Sequence, residues 1–365
     1  MNKIYQLSLS LLPGVGGITA KKLVSYCGGV EAVFKEKKSA LLKIPGIGRS
    51  LASSIVNHKV FEQAEKELEF IEKNNITTYF YLDKEYPYRL KQCIDSPVLF
   101  FMKGNADLNM SKVVSIVGTR SATDYGKAKV KEIVEGLAKY EILIVSGLAY
   151  GIDAAAHKMS LSKNIPTVGV LGHGLDMIYP PLHTKLAKQM IENGGLISDF
   201  FSGSKPDREN FPKRNRIIAG LSDAVIVAEA ADRGGALITA HIANSYNRDV
   251  FAIPGRTVDP LSAGCNHIIK THKAHMAESI QDIEYIMRWD IENSSKKPLQ
   301  RQLFVELDDD EQKIIDILKA NENPEIDFIV SESGFSPSKT SALLLNLEFK
   351  GLVKPLPGKI FKVVG

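Results

Sequence analysis

Residues 111–288 alternate short β-branched runs with helix-compatible segments, and no other feature constrains the fold as tightly. The runs fall at 113–117, 142–145, 167–171, 196–198, 224–228 and 250–253, with helical patterns such as 126–139, 152–162 and 182–192 between them. Short apolar runs separated by helices predict βαβ units and a mostly parallel sheet covered on both faces. Nearly every run ends in glycine or a small residue: Gly118, Ser146-Gly147, Gly172, Glu229-Ala230 and Pro254-Gly255. In open α/β sheets ligands bind beyond the carboxyl ends of the strands, where helix N-termini point, so a site is expected there.

Composition excludes several classes. The 365 residues are 44% hydrophobic and 24% charged, which is ordinary for two or three globular domains. The net charge of +4 neither demands nor excludes a polyanion. No apolar run approaches the ~18 residues of a membrane span, and the N-terminus has no signal-peptide pattern. Cys27, Cys93 and Cys265 are odd in number and unsuited to a disulfide framework or a cysteine zinc site. A soluble, cytoplasmic protein is expected.

The flanks carry modules of their own. Leu12-Pro13-Gly14-Val15-Gly16 returns 32 residues later as Ile44-Pro45-Gly46-Ile47-Gly48, each copy set between helical stretches. Such a turn joins two helices tightly, and its exposed N–H groups suit a phosphate oxygen. The pair resembles the helix-hairpin-helix, which grips nucleic-acid backbone; a purely structural hairpin is the other reading. Gly14, Gly16, Gly46 and Gly48 are therefore candidate phosphate contacts. At the other end, three helical patterns at 310–319, 326–331 and 338–350 precede a hairpin, the order of a winged helix. Its residues 306–334 hold ten acids and two bases, whereas 335–365 hold one acid and five lysines. The second half is basic enough to touch DNA but has no arginine to read guanine; a protein-docking wing is the alternative. The expected domains are 1–76 (helical), 77–290 (sheet domain, with a transition segment 77–110 packed on it), a linker 291–305, and 306–365.

Within the sheet domain, Val117-Gly118-Thr119-Arg120 lacks the three-glycine dinucleotide fingerprint and its acid, so no nicotinamide cofactor is expected. Two hydroxyls and an arginine at a strand end suit a phosphate, making Gly118, Thr119 and Arg120 candidates. Ser146-Gly147 leads into a helix with Asp153 and His157 at i, i+4, without a nucleophile elbow; that pair is expected to fix the helix start. His267, His272 and His275 lack an evident carboxylate partner, so no metal is expected. The densest signal is Phe211-Pro212-Lys213-Arg214-Asn215-Arg216, inside a stretch (205–216) of five bases and two acids. Cations beside an exposed aromatic are what single-stranded nucleic acid requires. Arg256 adds a base at the sixth strand end.

These motifs, with Leu171-Gly172-His173-Gly174-Leu175-Asp176, Tyr179-Pro180, Leu237-Ile238-Thr239-Ala240 and Ala252-Ile253-Pro254-Gly255, resemble the DNA-processing protein A family (DprA, also called Smf) in order across the whole middle domain. The resemblance implies an extended Rossmann-like fold flanked by a helix-hairpin-helix (SAM-like) domain and a winged helix. It also implies a homodimer that binds single-stranded DNA, protects incoming strands and loads RecA recombinase during natural transformation, with single-strand-binding protein an indirect partner. Carried over by motif, the DNA pocket uses Arg120, Phe211, Lys213, Arg214 and Asn215, with Ser146 and Gly147 at the neighbouring strand end. The chain departs from the family pattern at Gly234-Gly235, Ser198-Asp199 and Ala274-His275. No catalytic residue and no cofactor are expected. The rival is a nucleotide N-glycosidase on a related sheet, but Gly234-Gly235-Ala236-Leu237-Ile238-Thr239 offers no acid at the matching place.

Overall fold

The computed structural model describes residues 3–289, 307–321, 324–356 and 360–363. The expected linker, 291–305, lies outside the described residues. The chain forms two compact units, Met1–Met287 and Arg288–Gly365.

Among the described residues of the first unit, nine strands form one sheet. They are β1 Thr77–Phe80, β2 Leu99–Gly104, β3 Lys112–Gly118, β4 Ile142–Ser146, β5 Thr167–Val170, β6 Gly194–Ser198, β7 Ala224–Glu229, β8 Asp249–Ala252 and β9 His275–Met276. Their order is β1-β2-β6-β5-β4-β3-β7-β8-β9, with β3 to β9 parallel and β1 and β2 antiparallel. The six strands expected from the sequence are all present, and the fold is the extended Rossmann-like sheet. Val113 to Val117 are buried throughout, as a central strand covered on both faces must be. The order reverses between β3 and β7, where a crevice opens at the carboxyl ends.

The transition segment adds the antiparallel pair β1–β2 to the sheet. Arg89, fully buried, locks it there: Nε and Nη2 donate to Asp223 at 2.6 and 2.8 Å, and Nη2 also to Ser111 O at 3.0 Å. The helices of residues 3–73 pack their own core, including Leu7, Leu23, Ile55 and Ile71, against Phe80, Leu99 and Phe101 of β1 and β2. The two repeated turns are tied reciprocally, since Lys22 Nζ donates to Pro45 O (2.9 Å) and Ser54 Oγ to Pro13 O (3.5 Å). Positions 22 and 54 are one repeat apart, as are 45 and 13, so the module is a pseudo-twofold pair. Gly14 and Gly46 make its turns at φ +78° and +86°, a region that glycine enters without a Cβ penalty.

The second unit contains helices Asp309–Ala320, Ile326–Ser333 and Pro337–Phe349, then β10 Val353–Leu356 paired antiparallel with β11 Ile360–Val363. This is the winged helix. Its lysines are less available than the charge count implied, because Lys339 pairs with Asp310 (2.6 Å) and Lys350 with buried Glu311 (2.5 Å).

Candidate nucleic-acid cleft

A cleft of about 300 Å³ opens at the β3/β7 switch. One wall is the loop after β3, with Gly118, Thr119 and Arg120; another is the loop after β7, with Arg233 and Gly234. The helix Asn210–Leu221 closes the third side with Phe211, Arg214 and Asn215. That helix is held against the sheet because Ser115 of the central strand donates to Ile218 O at 2.9 Å. Asn215 Nδ2 donates to Gly235 O at 3.2 Å and so joins two walls. Beyond Phe211 the cleft continues as an open surface past Pro206, Arg208 and Pro212.

Phe211 is half-buried rather than exposed, and its surroundings are charged. The Arg120 guanidinium lies 5.3 Å from the ring centroid and that of Arg214 5.9 Å, with Tyr179 6.3 Å away. Cations over a ring are attracted by its quadrupole, which places two positive groups at an aromatic surface. Arg214 is buried; Nη1 donates to Val170 O at 2.5 Å, while buried Nε has no hydrogen-bond partner among the described residues. Burial pulls its pKa down to about 10, still charged at neutral pH, and the Asp153 carboxylate favours that charge. Asp153 itself is pushed up by burial, against the pull of Arg214.

Arg120, Gly118, Thr119, Phe211, Arg214 and Asn215 thus converge on one cleft. Ser146 and Gly147 do not line it. The Ser146 hydroxyl is buried and donates to Ile116 O at 2.5 Å; a Cβ on Gly147 would strike Asp153 Oδ2 and Arg214 Nη1. They lie beneath the floor, and the small residue at 147 makes room for the buried arginine. Lys213 is exposed on the outer helix face, 4.0 Å from Glu209. Arg216 turns away, paired with Asp199 at 2.6 Å and donating to Asp95 O. Arg256 is exposed and does not line the cleft.

The expected Asp153–His157 pair does not form as a contact. His157 Nδ1 instead meets Thr167 Oγ1 at 2.7 Å, and Asp153 accepts weakly from Ala149 N at 3.4 Å. Two arginines escaped the sequence reading: Arg233, whose only signal was the glycine-rich helix start beside it, and Arg208, counted in the basic stretch but given no role. Asp153 as a cleft carboxylate was also missed. His275 does have a carboxylate at 3.8 Å, Asp249, yet the described residues contain no group of three that would hold a metal ion. Nor is any described helix long and apolar enough to cross a membrane. Gly14, Gly16, Gly46 and Gly48 are exposed at the repeated turns, but Lys22 is engaged there and Lys21 donates to Ser96 Oγ at 2.6 Å.

Comparison with known proteins bears on this architecture. A family model described as DNA recombination-mediator protein A matches residues 77–288, and one described as the DprA winged helix domain matches 299–359. The protein Smf of Synechocystis sp. is 34% identical, over 97% of this chain and 97% of its own. The X-ray structure of DNA processing protein A (DprA) from Streptococcus pneumoniae matches with a TM-score of 0.67 at 35% identity, covering 78% of this chain and 98% of that one. DNA processing protein A from Helicobacter pylori, solved for its single-stranded DNA binding mode, matches with a TM-score of 0.54 at 29% identity, covering 59% and 96%. With the sheet domain matched throughout and one relative aligned almost end to end, this chain belongs to the DNA recombination-mediator protein A family, DprA or Smf.

Proposed function

We propose that the cleft at the β3/β7 switch binds single-stranded DNA, without catalysis and without a cofactor. The observation that carries this reading is the Phe211 ring with the Arg120 and Arg214 guanidinium groups 5.3 and 5.9 Å from its centroid. A single strand presents alternating phosphates and π-faces, and cations flanking an aromatic surface meet both. Arg233 and Arg208 extend the positive rim on either side. The Helicobacter pylori relative, named for its single-stranded DNA binding mode, supports the same assignment. In this reading the protein acts in the cytoplasm as a homodimer. It protects incoming strands and hands them to RecA during natural transformation, with single-strand-binding protein displaced indirectly.

One observation favours a second reading. Asp153 lines the cleft, and a buried carboxyl with a raised pKa is the equipment of a general acid. A nucleotide N-glycosidase would use it. Short oligo-dT and duplex DNA binding, measured beside incubation with nucleoside monophosphates, separates the two. Preferential oligo-dT binding with no free base is expected; base release without oligonucleotide binding overturns the proposal. Acceleration of RecA filament formation on strands coated with single-strand-binding protein tests the mediator step.

A further inference from the structure

The segment that rims the open end of the cleft, residues 199–216, is fastened at points that have nothing to do with the cleft itself. Its two ends are joined by the Asp199–Arg216 ion pair, 2.6 Å. Just past that neck, Phe201 packs against the core of the N-terminal helical module and meets Phe101 edge-on at 5.3 Å between centroids. The next residue, Ser202, is held by Glu67 of the module's helix Phe61–Lys73. Its N–H lies 3.1 Å from both carboxylate oxygens, and its hydroxyl donates to Oε2 at 2.5 Å. Lys205, Pro206 and Arg208 follow within six residues and then Phe211.

Glu67 is 5% exposed. A buried carboxylate is costly unless hydrogen bonds compensate it, and charge-assisted bonds to one residue fix position more sharply than apolar packing does. Packing the module on the sheet needs no such group, since Phe80, Leu99 and Phe101 already supply an apolar interface. The carboxylate therefore specifies where the segment after Ser202 begins.

We propose that the helical module acts as a brace for the nucleic-acid segment and that Glu67, through Ser202, is a positioning residue for Lys205 and Arg208. The inference rests on the reading of the cleft as a single-strand site. Releasing Ser202 removes the charge-assisted anchor three residues before Lys205, so that its charge is placed less sharply at a phosphate. Remaining ties, among them Ser204 N to Phe201 O at 3.1 Å, Gly174 N to Ser204 O at 3.0 Å and Asn210 Nδ2 to Lys205 O at 3.4 Å, leave the segment loosened rather than free.

The test uses the full chain with a short oligo-dT across a salt series, comparing Glu67→Ala, Glu67→Gln, Ser202→Ala and Arg120→Ala. With one or two phosphates no longer neutralised, Glu67→Ala should flatten the slope of log K against log salt by about 0.7–1.4 units. Tryptic cleavage after Arg208, measured without DNA, should quicken; Lys205 precedes proline and resists the protease. Glu67→Gln keeps one acceptor oxygen and should restore most of the slope. A uniform affinity loss with unchanged slope marks a merely structural role and overturns the proposal. So does a wild-type slope in Glu67→Ala while Arg120→Ala flattens it, which leaves the cleft assignment standing. If Arg120→Ala also has no effect, both readings fall. Should Glu67→Ala not fold, Ser202→Ala, which removes the hydroxyl bond and keeps the N–H contacts, should flatten the slope in the same direction by a smaller amount, and an unchanged slope there overturns the proposal.

Discussion

Arg214 and Arg216 stand two positions apart and do different work, and neither is the solvated charge that a basic run suggests. Helical phase decides this. Arg214 turns into the cleft and is buried, Arg216 turns towards Asp199 and the transition segment, and Lys213 remains outside. The consequence for mutagenesis is direct. Replacing Arg214 by Ala removes the donor on Val170 O and leaves a hole beside Asp153, so it should lower the melting temperature as well as affinity. Lys213→Ala touches no core and should flatten the salt slope of single-strand binding by about 0.7 units with the melting temperature unchanged. Phe211→Ala should cost about 1–3 kcal/mol of binding through the missing stacking partner, with the slope preserved. Titrations across salt distinguish these, and an unchanged Lys213→Ala slope together with unchanged Phe211→Ala affinity would move the strand elsewhere. The lysine–arginine cluster was legible because its density is unusual. The inward turn of Arg214 was not, because it depends on Gly147, just past the end of β4, leaving the space.

At the scale of elements, the alternation of apolar runs and helices revealed six strands within two residues of their ends. In the transition segment, which reads as turn plus short strand, β2 falls on Leu99-Phe100-Phe101; what escaped were β1, its Thr-Thr-Tyr-Phe stretch, and β9, two residues long, too short for any periodicity. Both are sheet edges, where pairing is decided by what packs nearby rather than by local pattern. Contacts between elements were equally hidden. His157 sits on the helix Ile152–Ser162 at the i+4 position from Asp153, yet its partner is Thr167 on β5. That hydrogen bond, fully buried, fastens helix to strand, and burial pushes the imidazole pKa down to about 3. A histidine whose folded pKa lies below its unfolded value of about 6.5 takes up its proton only on unfolding. Its contribution is complete above about pH 6.5 and is lost progressively as pH falls towards 3. Between pH 7 and 5 this one group should lower stability by about 2 kcal/mol. Urea midpoints of wild type and His157→Gln over that range check it: the variant should be less stable at pH 7 but should lose less on acidification. Parallel pH profiles for the two proteins would mean that the imidazole titrates normally in the folded state.

For the molecule as a whole, the two compact units invite the question of which one binds the strand. The charge division of the C-terminal sequence suggested a basic recognition helix and wing, and the structure pairs both lysines of the helix and its end with acids. Lys339 and Lys350 are spent on Asp310 and Glu311. The outer face of the helix Pro337–Phe349 instead carries Ala342, Leu345 and Phe349 at i, i+3 and i+7, with Phe349 81% exposed. Such a stripe offers nothing to phosphates, and large exposed apolar side chains are costly to leave in water without a use. On the wing, Lys354 and Lys362 face each other across the hairpin. Like charges directly opposite are unfavourable, and these two lysines of the described strands are few beside the arginines of the cleft. Each exposed phosphate contact contributes mainly at low salt, and the cleft and its open continuation gather Arg120 and Arg214 beside Phe211 with Arg233 and Arg208 further along. A chain ending at Met287 should therefore keep its oligo-dT affinity within about threefold of the full protein, a difference under ~0.7 kcal/mol. Its salt slope should stay within about one phosphate contact of wild type, since among the described residues the wing strands supply this one crowded lysine pair. A hundredfold loss in the truncated, folded protein would place the principal site on the winged helix and reduce the cleft to an accessory.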